Sequence, residues 1–323
     1  MKWMTGIDKK SFFVISLVSI FHSCIVNVPI VSVRGPLEEI TVLGEGKNKI
    51  ALINISGVIS WEERESGILT KGEPSIVSRI KEELDKARTD ERVKGVILKV
   101  DSPGGLISAS EIIYQEIKKF KSEKNIPIVS YIPSIGASGA YYIITPSDKI
   151  IASPGSTVGS IGVYLIKVNI KGLSEKIGVD FEVIKAGKHK DALLFNRGLT
   201  DEEREKIQSK INYYYESFKK VVVEGRGERL KRTIDEIADG SVFTPQEALE
   251  IGLIDQIGDI YSAIEQTAKI AGIKDYRVVM YIREGMRIHS IWEETYSKQN
   301  QQDFIKQMVI PGIYMLYLYP ADM

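Results

Sequence analysis

The chain has 323 residues, with 43 Lys plus Arg against 43 Asp plus Glu, and 43% of it is hydrophobic. That balance excludes a disordered or collagen-like chain, and a net charge of zero argues against general nucleic-acid binding, which needs a basic excess. One cysteine excludes an intramolecular disulfide and a cysteine-based zinc cluster; with only three histidines, neither a metal nor a cofactor is expected.

Lys2, Lys9 and Lys10 precede residues 11–33, which contain no Asp, Glu, Lys or Arg. A basic head followed by an apolar run matches a bacterial secretory signal. The run meets Phe21-His22-Ser23-Cys24, which resembles a loose lipoprotein-processing site and makes Cys24 the lipidation candidate. The alternative is an uncleaved anchor, since about 20 apolar residues can span a bilayer. Either way the bulk of the chain is expected outside the cytoplasm, held at the membrane of a cell envelope through its N-terminus. Residues 1–24 are therefore read as leader or anchor and 25–48 as linker, polar from Gly35 on.

Residues 50–55 (Ile-Ala-Leu-Ile-Asn-Ile) read as a buried strand. Residues 75–88 follow Pro74 and carry Ile76, Val77, Ile80, Leu84 and Ala87 on one face, which predicts a helix. A strand at 96–100, a helix at 108–120, a strand at 128–131, a short helix at 138–144 and a strand at 149–152 continue the alternation. Val- and Ile-rich strands alternating with amphipathic helices predict an α/β fold. The second half is more helical. Residues 200–224 form one long predicted helix, with Thr200 as N-cap and Glu203 at the capping-box position. Short helices are predicted at 234–238 and 245–251, a longer one at 260–271 and a last strand at 277–281. The tail, 284–323, is polar and then ends in an apolar aromatic run at 310–319, too short to span a bilayer. Core packing is its expected role, with docking on a neighbour or on the membrane surface as the alternatives.

Three glycine-rich segments each follow a predicted strand. Asp101-Ser102-Pro103-Gly104-Gly105 can turn tightly and leave N–H groups free for an anion, whether a phosphate or an oxyanion; a purely structural turn is the competing reading. Gly136-Ala137-Ser138-Gly139-Ala140 presents a serine among small residues at a helix start, the way a nucleophile is presented, although a close-packed helix start would look the same. Gly159-Ser160-Ile161-Gly162 suits a loop lining a site, and no Lys follows in a phosphate-loop pattern. A serine needs a base. His189 and Lys190, in Lys185-Ala186-Gly187-Lys188-His189-Lys190-Asp191, are the candidates, against the plain reading of a solvated basic loop. A free lysine would have to lose roughly three pKa units, or about 4 kcal/mol against its charged form, which burial can supply.

Taken in order, these motifs resemble the signal peptide peptidase A family, SppA, bacterial serine–lysine endopeptidases with the fold of the Clp protease and crotonase superfamily. The resemblance runs from about residue 49 to about 271 and includes Ala238-Asp239-Gly240-Ser241-Val242-Phe243-Thr244 with Gly252-Leu253-Ile254-Asp255 as the closing segment. It implies repeated ββα units over 49–283. It also implies Ser138 as nucleophile, Lys190 as general base, Ser160 orienting the lysine amine, and the N–H groups of Gly105 and Gly139 as the oxyanion hole. The implied substrates are apolar peptides such as cleaved signal peptides. The implied assembly is a homo-oligomer, an octameric ring whose serine and lysine come from neighbouring subunits. Two positions depart from the family: Ala140 stands where a second glycine is usual, and Leu193-Leu194-Phe195-Asn196 replaces a more polar stretch. Competing readings are a crotonase-type acyl-CoA enzyme, against which the N-terminal segment counts, and a non-catalytic envelope scaffold or binding protein, against which Ser138 and Lys190 count.

Overall fold

A computed structural model of the chain describes residues 35–63, 74–283, 286, 288–293 and 316–318. The leader or anchor and Cys24 lie outside the described residues. Among the described residues no helix is long and apolar enough to cross a membrane.

The chain opens with β1 (Leu37–Gly44) and β2 (Asn48–Ser56), then α1 (Ile76–Thr89), β3 (Val93–Asp101), β4 (Gly104–Leu106) and α2 (Ile107–Lys124). It continues through β5 (Ile128–Ile132), β6 (Ile135–Ala137), α3 (Gly139–Ile144), β7 (Lys149–Ala152) and β8 (Thr157–Gly159). The more helical half holds α4 (Lys171–Ile177), α5 (Asp201–Arg226), α6 (Ile234–Ile237), β9 (Val242–Phe243), α7 (Pro245–Glu250), β10 (Gln256–Ile257) and α8 (Ile260–Ala271). Strand β11 (Tyr276–Arg283) and a short β12 (Leu316–Leu318) follow. This is a mixed α/β fold built on a parallel sheet, the class that the alternating pattern predicts.

The main sheet has the order β1-β11-β2-β3-β5-β7-β10, parallel throughout except for antiparallel β1 at the edge. Its strands read as continuous apolar runs because both faces are covered. On β2, Ala51, Ile53 and Ile55 enter one core, while Ile50 and Leu52 enter the other. The first core lies under α1, α2, α3 and α5, and the second under α8 and Ile291.

The expected linker needs one correction. Residues 37–44 form β1, paired with β11 from Leu37↔Arg283 to Gly44↔Arg277. Glu38, Thr41 and Leu43 face water, Glu39 bonds the buried Lys49 at 2.7 Å, and Leu37, Ile40 and Val42 pack inward, so its composition resembles that of a linker. The capping box of α5 forms as expected. Thr200 Oγ1 accepts from the Glu203 N–H at 3.3 Å and Glu203 Oε2 accepts from the Thr200 N–H at 2.9 Å.

Candidate active site

The three glycine-rich segments leave the carboxyl ends of β3, β5 and β7, which are neighbours in the sheet. In open α/β sheets that crevice is where ligands bind. Backbone hydrogen bonds then join the segments. The Ser102 N–H donates to Ile135 O at 2.8 Å and the Ala137 N–H donates to Ser102 O at 3.3 Å, which ties the first segment to the residue before Ser138. The Ser138 N–H donates to Gly159 O at 2.7 Å, which ties the serine to the third segment. The closing segment joins them, since the Ser160 N–H donates to Ser241 O at 2.8 Å and β8 pairs with β9.

Ser138 caps α3 with φ 53° and ψ −122°, and is 1% exposed. Ser160, 7% exposed, also has a positive φ, of 50°. Left-handed or otherwise rare backbone at a residue with a side chain costs about 1–3 kcal/mol and persists only where the surroundings over-determine it. Two such serines, one residue from each other's hydrogen-bonded strand pair, mark this turn as a built site. Behind it, α3 is held by Tyr142, whose ring packs edge-on against Tyr114 and Phe218 at 5.2 and 5.1 Å. Tyr141 is fully buried and its hydroxyl donates to Leu253 O at 2.7 Å; burial pushes that phenol above its ordinary range.

Gly105 lies on β4. A Cβ there would fall 2.0 Å from Ile59 O, so no side chain fits. The reason is a bridge that sequence reasoning missed. The Ile59 N–H donates to Gly104 O and the Leu106 N–H donates to Ile59 O, both at 2.8 Å. Ser102 Oγ accepts from the Gly104 N–H at 3.1 Å and shapes the same turn. The only sequence signal for Ile59 is an apolar pair after Gly57 at the end of a buried strand.

An open cleft of about 630 Å³ starts at Ser160 and runs past Val163 and Tyr164 to Gln208, Ile211 and Tyr215 of α5, with Asp239 and Gly240 at its rim. Its lining is largely apolar. Burial raises the Tyr164 phenol to about 12.

The basic segment stands apart. Lys190 is exposed, in a turn where its N–H donates to Gly187 O at 3.2 Å. Among the described residues no hydrogen bond links it to Ser138 or Ser160. His189 is taken up elsewhere: its Nε2 lies 2.8 Å from Lys206 Nζ and 3.2 Å from Glu202 Oε1. The next residue, Asp191, is clamped by Arg197, whose Nε and Nη2 each lie 2.9 Å from its carboxylate. Arg197 reaches Glu203 at the start of α5 as well, at 2.8 and 2.7 Å. Arg197, and then Lys185, hold Asp191 well below the usual carboxylate range; Arg197 and the Thr200 N–H do the same for Glu203. Just before this clamp several large apolar side chains stand exposed among charged ones: Leu173, Ile177, Phe181 and Ile184, the last 93% so.

A strained serine at a strand-to-helix turn, backed by glycine-rich loops at the carboxyl ends of adjacent parallel strands, fits the class of serine peptidases, and comparison with known proteins agrees. Residues 120–274 match the family model described as Peptidase family S49. A protein described as a signal peptide peptidase SppA in Enterococcus faecium is 35% identical over 79% of this chain and 73% of its own length. One described as a protease in Synechocystis sp. is 36% identical over 72% of this chain and 78% of its own length. Another described as a protease, from Methanocaldococcus jannaschii, is 38% identical over 61% of this chain and spans 63% of that relative. Among solved structures, a mutant of a membrane-bound stomatin-specific protease gives a looser likeness, with a TM-score of 0.45 and 19% identity over 69% of this chain and 86% of that one. The chain belongs to peptidase family S49.

Proposed function

We propose that this serine peptidase is a membrane-associated endopeptidase with a Ser138–Lys190 dyad, acting on apolar peptides such as cleaved signal peptides. The observation that carries the reading is Ser138 itself, held at φ 53° between β6 and α3, with its N–H bonded to the Gly159 loop and the strand before it bonded to the Ser102 loop. A neutral Lys190 amine would take the Ser138 Oγ proton as Oγ attacks the peptide carbonyl. The N–H groups of Gly105 and Gly139 would receive the oxyanion, the lysine would return its proton to the leaving amine, and water activated by Lys190 would then release the acyl group. Ser160 would orient the amine.

The exposed turn that carries Lys190 is read as an element presented to a second copy. In this reading serine and lysine meet across the interfaces of an octameric ring. Support comes from the exposed large apolar side chains just before Lys190, Leu173, Ile177, Phe181 and Ile184, since apolar groups left uncovered near a site favour an interaction face. Burial there would also favour a neutral amine. The His189 alternative is disfavoured by the bonds that hold its Nε2 in the Lys206–Glu202 cluster. Anchoring through residues 1–24, with Cys24 as lipid acceptor, would hold the domain on the outer side of a membrane of the cell envelope.

The test uses a fluorogenic apolar peptide with wild type, Ser138→Ala, Lys190→Ala and His189→Ala over pH 6 to 10. Cleavage lost in the first two variants and kept in the third is expected. Activity that survives Lys190→Ala and vanishes in His189→Ala would move the base to histidine.

A further inference from the structure

Tryptophan is seldom left in water, because few side chains carry so much apolar area. Here Trp292 is 51% exposed, and its ring meets that of Tyr261, itself 46% exposed, edge-on with centroids 6.1 Å apart. The core holds the pair outward. Ile291, next to the tryptophan, is 3% exposed and enters the second core. Lys99 on β3 is buried and donates to Ile291 O at 3.3 Å and to Trp292 O at 3.2 Å. Asn54 Nδ2 on β2, also buried, donates to Glu293 O at 3.2 Å. Buried polar side chains that spend their donors on one segment's carbonyls fix that segment, so the aromatic pair stands on a firm base.

Its position in the fold brings the pair to the membrane tether. Asn54 and Lys99 lie near the carboxyl ends of β2 and β3, and Tyr261 opens α8 just past β10, so the pair stands at the carboxyl end of the sheet. The chain enters the fold at the same end. Leu37 pairs with Arg283, the last residue of β11, and Arg283 also donates to Gly35 O. Strand β1 is three places from β3 in the sheet, about 14 Å at the usual strand spacing. The uncharged run read as leader or anchor ends at Val33. Two residues reach about 7 Å at most, so an anchor ending there sets a bilayer surface against this end of the sheet; from a lipidated Cys24 the reach is about 40 Å. Trp and Tyr are the side chains that gather where a bilayer meets water, since each has an apolar body and a polar tip.

We propose that Tyr261 and Trp292 form a contact with the interfacial zone of a phospholipid bilayer, a second hold that sets how the domain sits on the membrane to which its N-terminus is tied. The proposal rests on the membrane association proposed above and does not depend on the peptidase chemistry.

The test uses the full-length chain in vesicles of phosphatidylcholine and phosphatidylglycerol. Of the three tryptophans, Trp3→Phe/Trp61→Phe leaves Trp292 as the reporter. Interfacial side chains sit about 5–10 Å deep, so doxyl groups near the headgroup end of the acyl chains are expected to quench Trp292 more than doxyl groups near the chain ends. In wild type, which needs no substitution, a lipid with a photoactivatable group at the shallow position is expected to label the peptides that hold Tyr261 and Trp292, read by mass spectrometry. In protein that floats with the vesicles, an unquenched Trp292 or an absence of label on both peptides overturns the contact and leaves the tether standing. Protein that fails to float overturns the membrane reading and the contact together. Neither readout requires cleavage of a peptide, so failure of the peptidase reading would not be mistaken for failure of the contact.

Discussion

Ser138 sits at the end of a strand hydrogen-bonded on both sides, through Ser102 and Gly159, and it is buried; Lys190 sits in an exposed turn near exposed apolar side chains, held by a clamp that involves its neighbours and not its own amine. The first region is set by the core of its own chain. The second is ordered locally and, among the described residues, is left exposed. Under the proposed Ser138–Lys190 dyad, a site divided in this way would have its acid–base half supplied by assembly, and activity would be a property of the oligomer.

The sharpest way to break that comparison is to mix chains. Ser138→Ala and Lys190→Ala are each expected to lose on the order of 10⁴-fold or more in kcat, as removal of a nucleophile or its base does elsewhere. Co-refolded together, the two variants are expected to recover part of the wild-type rate, because some interfaces then pair an intact serine with an intact lysine. No recovery, with the oligomer intact, would place both residues in one chain.

A second test targets the serine side alone. Arg226 at the end of α5 is 1% exposed and donates to both carboxylate oxygens of Asp255 at 2.9 Å and to Gly252 O at 2.9 Å. Arg226→Ala removes a fully buried side chain and both of its bonds to Asp255, which keeps the Ile150 N–H at 2.7 Å and Arg229 at 3.8 Å, and is expected to cost about 3 kcal/mol, read as a lower denaturant midpoint at unchanged slope. An equal loss from Arg197→Ala, whose clamp is only partly covered, would contradict the division into a core-bound and a surface-bound half.

Gly105→Ala is expected to be milder. Its Cβ would meet Ile59 O at 2.0 Å, and relief of such overpacking costs about 1–3 kcal/mol. Activity is expected to fall by more than stability, since β4 must move and carries the Gly105 N–H with it; the comparison is kcat/KM against the thermal midpoint.

The smallest effect is one of pH. Asp191, Glu202 and Glu203 are all held below the ordinary carboxylate range, Glu202 at about 2 by Lys188 and Lys206. Their folded values lie below the unfolded ones, so the stabilisation is present above about pH 4 and is lost as pH falls toward about 2. Amide exchange in residues 185–203, corrected for its intrinsic rate, is expected to accelerate across that window while residues 135–145 stay protected. Simultaneous loss of protection in both segments would show that the lysine loop is as firmly tied to the core as the serine turn.

Much of this was legible in the residues. The helix expected at 260–271 is α8, with those bounds, because Ile260, Ala263, Ile264 and Ala268 recur at helical spacing and bury one face. The capping box at Thr200 and Glu203 is local chemistry and was equally readable. The edge strand β1 was not, because it is half solvated and borrows its partner from β11, more than two hundred residues away. Helix α4 was missed for a related reason: it is seven residues long and buries only Ser174, so it has no apolar face to announce it. The tail was visible as an apolar run, but its pairing with β4 was not, since a strand's partner is written in a distant segment.

By itself the sequence determined the α/β class, through Val- and Ile-rich strands alternating with amphipathic helices, and the order of the glycine-rich segments with Ser138 among them. The tertiary structure decided which of those segments meet. Adjacency of β3, β5 and β7 and the backbone hydrogen bonds of Ser102, Ser138 and Ser160 bring the first three together with the closing segment, while the lysine segment stays on the surface. Periodicity and turn chemistry act within a few residues and are carried by the sequence directly. Strand order, the strained φ of Ser138 and the seating of β12 on β4 depend on contacts between distant segments, which exist only once the chain has folded.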